Sequence, residues 1–555
     1  MSVLKFQALL IGVSLLGLVA CSDNNGSNSG SVDLGPVDPV DPGGPIDIGS
    51  VEVSTLTLPE GVDPRSAAFT ESGKLVLRYN GGALATLNVD GSEFRPFFAG
   101  GAGEDDDHLL FADGKRIHQG TTVVECTKVF EECDDAKVVP IKYPDPLDTD
   151  PRVRSRAQEA VIAPDNKTQS WMVLLADFST IVLTGTLVRE TEQYVLTDSR
   201  IISTVEPFPA DPANPGGVIS VTPFINGEVK QFVHGGAGIS VVGGKDLATA
   251  DSMVIRLDTG GLDQYTYTPG YDETTIFSPD EKLGIVMTTR FSPATDLGIF
   301  GLMPRPYGQS MSVNLNRYMY THGVTAVRGA REGNIGPALI DVKRSAEDEP
   351  GYVGINLATD VNWVYRSPME WSPDSKMAVW PEGSQSGNGT RIQIVKLPDY
   401  QPGEPVATVD SPVMPGSTTD LDKAYEYQDL QQNIDVIVYG KHSGYITFKQ
   451  TKTGITRSTH EKRYFDFSDD GDAVFNGVES MNANLTGNSV YTADMTLTGS
   501  KPGEMKLKAT FGPLGGGGVV PARLIFDEDD SGEPQTGGYV EYNGKRLTFE
   551  GITRE

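Results

Sequence analysis

The chain has 555 residues, 45 basic and 75 acidic side chains, a formal charge of −30 and only three cysteines. No Lys/Arg-rich stripe interrupts that acidity, which argues against nucleic acid or anionic lipid headgroups as partners and leaves solubility as the simplest role of the charge. The 63 glycines and 36 prolines exceed the usual share, and aliphatic residues come in short runs rather than helical stripes, the pattern of many strands and many turns.

The N-terminus carries Lys5 and then an apolar run from Ala8 to Ala20, too short to span a bilayer as a stable helix. Residues 1–20 therefore read as a secretory signal. The ending "LVAC", Leu18 to Cys21, resembles the bacterial lipoprotein lipobox. That resemblance implies acylation of Cys21 as the mature N-terminus, and Ser22 after it implies sorting to the outer membrane. An ordinary signal peptide with an incidental cysteine is the alternative. Residues 21–50, mostly Ser, Asn, Gly, Asp and Pro, cannot bury enough apolar surface to offset their chain entropy and form a tether, stiffer in its Pro-rich half. The other two cysteines, Cys126 and Cys133 in "ECTKVFEECDD", are spaced for a small disulfide loop in an oxidising periplasm; a zinc pair is the other reading, with no histidine nearby at ligand spacing.

One phrase then recurs. "FSPDEKLGIVM" begins at Phe277 and "WSPDSKMAVW" begins at Trp371, 94 residues later. In each, an aromatic ends one strand, Ser-Pro-Asp sets a turn, and an aliphatic run starts the next strand. Weaker copies start at Phe69, Phe111 and Ile162, and the two long gaps each leave room for a degenerate copy, near "KQFVHGGAGISVV" and near "HGVTAVRGAREG". Seven such units predict a seven-bladed β-propeller over residues 51–410, with six or eight blades as the alternatives because two units are inferred from gap length; a four-stranded sheet of this kind buries its faces only against neighbouring sheets. "VEVSTLTL", Val51 to Leu58, alternates like a strand and is placed to complete the last blade. The phrase resembles the TolB-type propeller repeat, aromatic-Ser-Pro-Asp-Gly-Lys, with Glu281 and Ser375 standing where that repeat has Gly. The resemblance implies a propeller and contacts with envelope proteins. Phe69, Phe111, Phe277 and Trp371 are expected to be inter-blade core.

The repeat stops at a polar stretch read as a linker, 411–430. Beyond it, "YTADMTLTG" and "MKLKATF" alternate apolar and polar residues, and Asn543-Gly544 marks a tight hairpin, so residues 431–555 predict a small antiparallel β-sandwich or barrel. Two acidic loops there space oxygens as calcium loops begin: Asp527, Asp529 and Ser531, and Asp466, Ser468 and Asp470. Neither has Glu at the twelfth position, and an acidic hairpin turn is the default.

No residue is assigned a catalytic role. "GKHSG" lacks the Gly-x-Ser-x-Gly spacing of a hydrolase elbow, and the six histidines are scattered, although His234 and His322 could converge on the axis of a propeller from different blades. The expected function is a non-catalytic binding or scaffold module for an envelope protein, peptide or glycan, membrane-held through its N-terminal lipid and facing either the periplasm or the cell surface. The alternative is a propeller hydrolase, lyase or lactonase working in the axial funnel.

Overall fold

The computed structural model describes residues 45–100, 109–145, 147, 153–175, 180–202, 228–243, 249–291, 296–306, 315, 318–319, 322, 335–387, 389–410, 433–454, 456–514 and 523–549. The expected signal, Cys21 with its lipid, most of the tether, and the linker 411–430 lie outside these residues.

Antiparallel units of about four strands follow one another along the chain, the second and third joined at their outer edges by a short parallel pairing of Tyr194 with Ile141 and Val195 with Lys142. The first runs from Pro64–Phe69 to Arg95–Phe98, the second from Leu109–Leu110 to Lys137–Lys142, and the third from Val153–Ile162 to Tyr194–Ile201. The fourth runs from Val229–Val233 to Leu262–Gln264, and the fifth from Asp272–Phe277 to Ile355–Asn356. In the sixth, Trp363–Tyr365 and Glu370–Trp371 share the innermost place beside Met377–Ser384, followed by Thr390–Lys396. The early strand Glu52–Thr55 closes that last sheet from outside, with Glu52 opposite Lys396 and Thr55 opposite Gln393. Each innermost strand touches the innermost strand of the next sheet, and the first meets the sixth, so the sheets form a closed ring. This is a β-propeller.

Among the described residues the ring has six blades rather than seven. The extra unit expected near His322 does not form a sheet between two others. The strands on either side of it, Leu283–Thr288 and Gly336–Asp341, pair directly, with Leu283 opposite Asp341 and Thr288 opposite Gly336. The 94-residue spacing is therefore one blade carrying a long insertion.

The turn after each innermost strand explains the recurring phrase. Its Asp side chain accepts amide hydrogen bonds inside the turn, as Asp165 does from Lys167 and Thr168 and Asp374 does from Lys376. The next residue then sits in the left-handed region: Gly73 (φ 79°), Gly114 (67°), Asn166 (63°), Glu281 (52°) and Ser375 (59°). Glycine occupies that region at little cost, whereas a side chain pays on the order of 1 kcal/mol. Ser375→Gly relieves that strain but removes a buried hydroxyl that accepts from Asp280 N of the neighbouring blade at 3.3 Å, so its stability in urea denaturation is expected to stay within about 0.5 kcal/mol of wild type. Glu281→Gly should gain nothing, because Glu281 also bonds His234 of the neighbouring blade. A gain from Glu281→Gly would refute that role for Glu281.

The repeat aromatics are core, with Phe69, Phe111, Phe277 and Trp371 all 5 % exposed or less. Trp371 Nε1 also donates to the Ile276 carbonyl of the adjacent blade at 2.9 Å. After the last blade the chain stays extended against the turns of the fifth, fourth and third blades. Tyr400 Oη donates to Asp280 at 2.7 Å, Val409 N to the Gly235 carbonyl at 2.9 Å, and Lys167 pairs with Asp410.

The C-terminal region is one antiparallel sheet of eight strands in sequential order, from Asn433–Tyr439 to Lys545–Thr548. Its alternating residues, such as Tyr491, Ala493, Met495 and Leu497, point into a core shared with the fifth-blade insertion. The short helix Asp296–Gly301 sends Phe300 among Tyr491, Phe511 and Phe549. Tyr318 of the same insertion packs on Phe511. The sheet is thus folded around a piece of the propeller.

At the bottom of that shared core lies a fully buried charge cluster. Glu479 accepts from Lys462 Nζ at 3.0 Å, Tyr464 Oη at 2.8 Å, Tyr491 Oη at 2.9 Å, and pairs with Arg305 Nε of the insertion at 3.3 Å. Although burial alone would raise it, these donors hold the Glu479 carboxyl at about 2. Burial pushes Lys462 down to about 8, so it still carries its proton at neutral pH.

Candidate functional site in the axial channel

The axis of the ring holds a small pocket of about 50 Å³, open to solvent, to which five blades contribute. Its apolar wall comes from Leu109, Val229, Ile276, Met287, Pro368 and Met369, with Tyr365 and Ser367 beside them. Its charged wall is built around Lys230, in the middle of the fourth blade's innermost strand. Lys230 Nζ lies 2.8 Å from Glu159 of the third blade, 2.8 Å from Glu228 two residues before it, and 3.4 Å from Glu273 of the fifth blade. Tyr271 Oη donates to Glu273 at 3.1 Å.

The period of two along a strand explains this convergence. Glu228 and Lys230 share one face of their strand, and the innermost strands of adjacent blades bring Glu159 and Glu273 to the same depth. Burial dominates the electrostatics. Glu228 is raised to about 7, burial and the neighbouring carboxylates outweighing the pull of Lys230. Lys230 is held protonated by the three carboxylates despite its own burial. On the sixth blade's innermost strand, burial raises Glu370 to about 8 against a hydrogen bond from the Phe69 backbone.

Of the residues singled out from the sequence, none lines this pocket. His234 and His322 do not converge on the axis. His234 is in the turn of the fourth blade, its Nδ1 2.7 Å from Glu281 Oε2, and His322 belongs to the insertion, where its Nδ1 accepts from Leu524 N at 3.3 Å. Cys126 and Cys133 are joined by a disulfide with Cα atoms 5.7 Å apart, closing a loop in the second blade.

The acidic loops use their oxygens internally. Asp529 Oδ1 accepts from the Ser531 hydroxyl at 2.5 Å, Glu533 N at 3.2 Å and Ser531 N at 3.0 Å, bonds that hold its carboxyl at about 2, while the Asp527 carbonyl takes Gln535 N. Asp470 likewise accepts from Asp472 N and Ala473 N, both at 2.9 Å. Among the described residues, the one group of three or more His, Cys, Asp or Glu donors close enough to share an ion, Cys126, Cys133 and Asp135, contains the two cysteines already bonded to each other.

No family model and no curated protein matches the sequence. Solved structures similar to it include an oligogalacturonate lyase from Vibrio parahaemolyticus, at 11% identity and TM-score 0.35, covering 63% of this chain and 95% of that one. TolB from Acinetobacter baumannii is similar at 11% identity and TM-score 0.30, with 62% and 64% covered. A protein designated TolB from Agrobacterium tumefaciens is similar at 11% identity and TM-score 0.28, with 66% and 95% covered. Scores this low carry no argument about function, and the propeller stands on the chain's own strand pairing.

Proposed function

We propose that the chain is an envelope lipoprotein, anchored in the outer membrane through Cys21, whose propeller binds a protein, peptide or glycan without catalysis. The observation that carries this reading is the axial pocket, a concave site with a mostly apolar wall and a few converging polar groups, as binding sites usually have. Lys230 and its three carboxylates engage one another across three blades, which makes them a rigid recognition surface.

The test is capture from envelope fractions by wild-type protein and by Met369→Trp, which fills the pocket. A stoichiometric partner that Met369→Trp fails to retain supports binding at the pocket. Equal capture by both proteins counts against it. The anchor is tested separately: Cys21→Ala is expected to leave the precursor unprocessed or release it from membranes, and wild-type processing with membrane retention would defeat the lipid reading.

A second reading is favoured by Glu228, which lies 2.8 Å from the pocket-lining Lys230 and is raised to about 7, a value suited to general acid or base work near neutrality. A hydrolase and lyase screen with added metal ions addresses it. Turnover lost in Glu228→Gln would replace the binding reading with an enzymatic one.

A further inference from the structure

We propose that the axial pocket receives a basic side chain of a partner peptide, a lysine or arginine, with its cationic head beside Glu159 and its alkyl stem along the apolar wall. The inference rests on the reading of the pocket as a binding site and names what enters it. The pocket has two unlike sides. On one, Met287, Pro368 and Met369 of the fifth and sixth blades offer an apolar strip. On the other, Glu159 is the most exposed of the three carboxylates, its side chain 21% accessible against 1% for Glu228 and 5% for Glu273.

The sign of the ligand follows from the groups that converge here. Three carboxylates surround one ammonium, in a chain whose formal charge is −30, so the potential at the pocket is negative and low-dielectric walls focus it. A ligand carboxylate would face like charges from three blades. A carboxylate such as Glu159 has about four lone-pair sites over its two oxygens, so it can hold Lys230 and accept a second cationic donor together. Long basic side chains bury an aliphatic stem while keeping the head in a polar setting, which matches an apolar strip ending at a carboxylate.

The experiment uses the full chain and four acetylated, amidated tripeptides, Gly-Lys-Gly, Gly-Arg-Gly, Gly-norleucine-Gly and Gly-Glu-Gly, titrated by calorimetry at low and high salt. The Lys or Arg peptide is expected to bind at least tenfold tighter than the norleucine peptide and to weaken as salt rises. Glu159→Gln should erase that preference in a protein whose circular dichroism shows it still folded, and Glu159→Asp should retain part of it. Norleucine or Glu peptide binding as tightly as the basic ones would overturn the inference, as would a preference that survives Glu159→Gln. If no peptide binds but Met369→Trp still abolishes capture of an envelope partner, the basic-side-chain inference falls and the binding reading stands. If capture is also indifferent to Met369→Trp, both fall.

Discussion

Glu479→Gln is expected to destabilise the C-terminal sheet by roughly 3–5 kcal/mol, the usual cost of breaking a buried ion pair from one side. Gln keeps the shape and can still accept from Tyr464 and Tyr491. It leaves Lys462 and Arg305, each with a side chain 1% exposed, without a counter-charge. The loss has a pH signature. The Glu479 carboxyl titrates at about 2 in the fold, below its ordinary 4.5, so its contribution is complete above about 4.5 and is lost as pH falls through about 2. The variant should lack that acid-induced loss. All four tryptophans, Trp171, Trp363, Trp371 and Trp380, lie in the propeller, so their fluorescence follows the ring, while hydrogen exchange at 457–484 follows the sheet. Exchange there should accelerate first. A change below about 1 kcal/mol would show that the cluster does not hold insertion and sheet together. Because replacing a whole buried ion cluster by apolar residues is often neutral, the combined variant Glu479→Leu, Lys462→Met, Arg305→Met, Tyr491→Phe, which also removes the Tyr491 hydroxyl that donates to Glu479, should recover much of the loss.

The blades were legible because their turns are local chemistry. An aromatic, then Ser-Pro-Asp, then a left-handed residue fill five consecutive letters, and even the glycine replacements at Glu281 and Ser375 keep that backbone. Ring closure by Val51 to Leu58 was legible for a similar reason, since alternation is visible within eight residues. Blade number was not, because a gap of two repeats and one repeat with an insertion have the same length. Only the pairing of Leu283 with Asp341 distinguishes them.

The axial cluster was missed for another reason: Glu159, Lys230 and Glu273 come from three blades and form no motif. A signal did exist. Glu159 and Lys230 each stand three residues before the end of an innermost strand, at Ile162 and Val233, and Glu273 stands four before Phe277. Laying the repeat copies over one another puts these charged residues in nearly one column, and that column faces the axis. The union of insertion and C-terminal sheet had no comparable signal, since it depends on packing between segments more than a hundred residues apart.

Lys230→Met should cost the propeller roughly 3–5 kcal/mol at pH 8, since it preserves length and apolar stem while leaving Glu159, Glu228 and Glu273 around a missing ammonium. Glu228→Gln should act in the opposite direction. Burial raises Glu228 to about 7 in the fold from an ordinary 4.5, so its contribution to stability is complete below about 4.5 and is lost as pH rises through about 7. A neutral Gln there escapes that loss. Near pH 4.5 the variant and wild type should agree within about 1 kcal/mol, and at pH 8 the variant should be the more stable by on the order of 3 kcal/mol. Tryptophan-monitored urea denaturation at the two pH values measures both effects. The double variant Lys230→Met, Glu228→Gln should be more stable at pH 8 than the sum of the two single effects predicts, because the Glu228 charge is hardest to hold once the ammonium is gone, and a strictly additive result would show that the two residues do not act on each other. A Glu228→Gln protein less stable than wild type at pH 8 would mean that Glu228 serves mainly as a partner of Lys230, with little charge burden of its own.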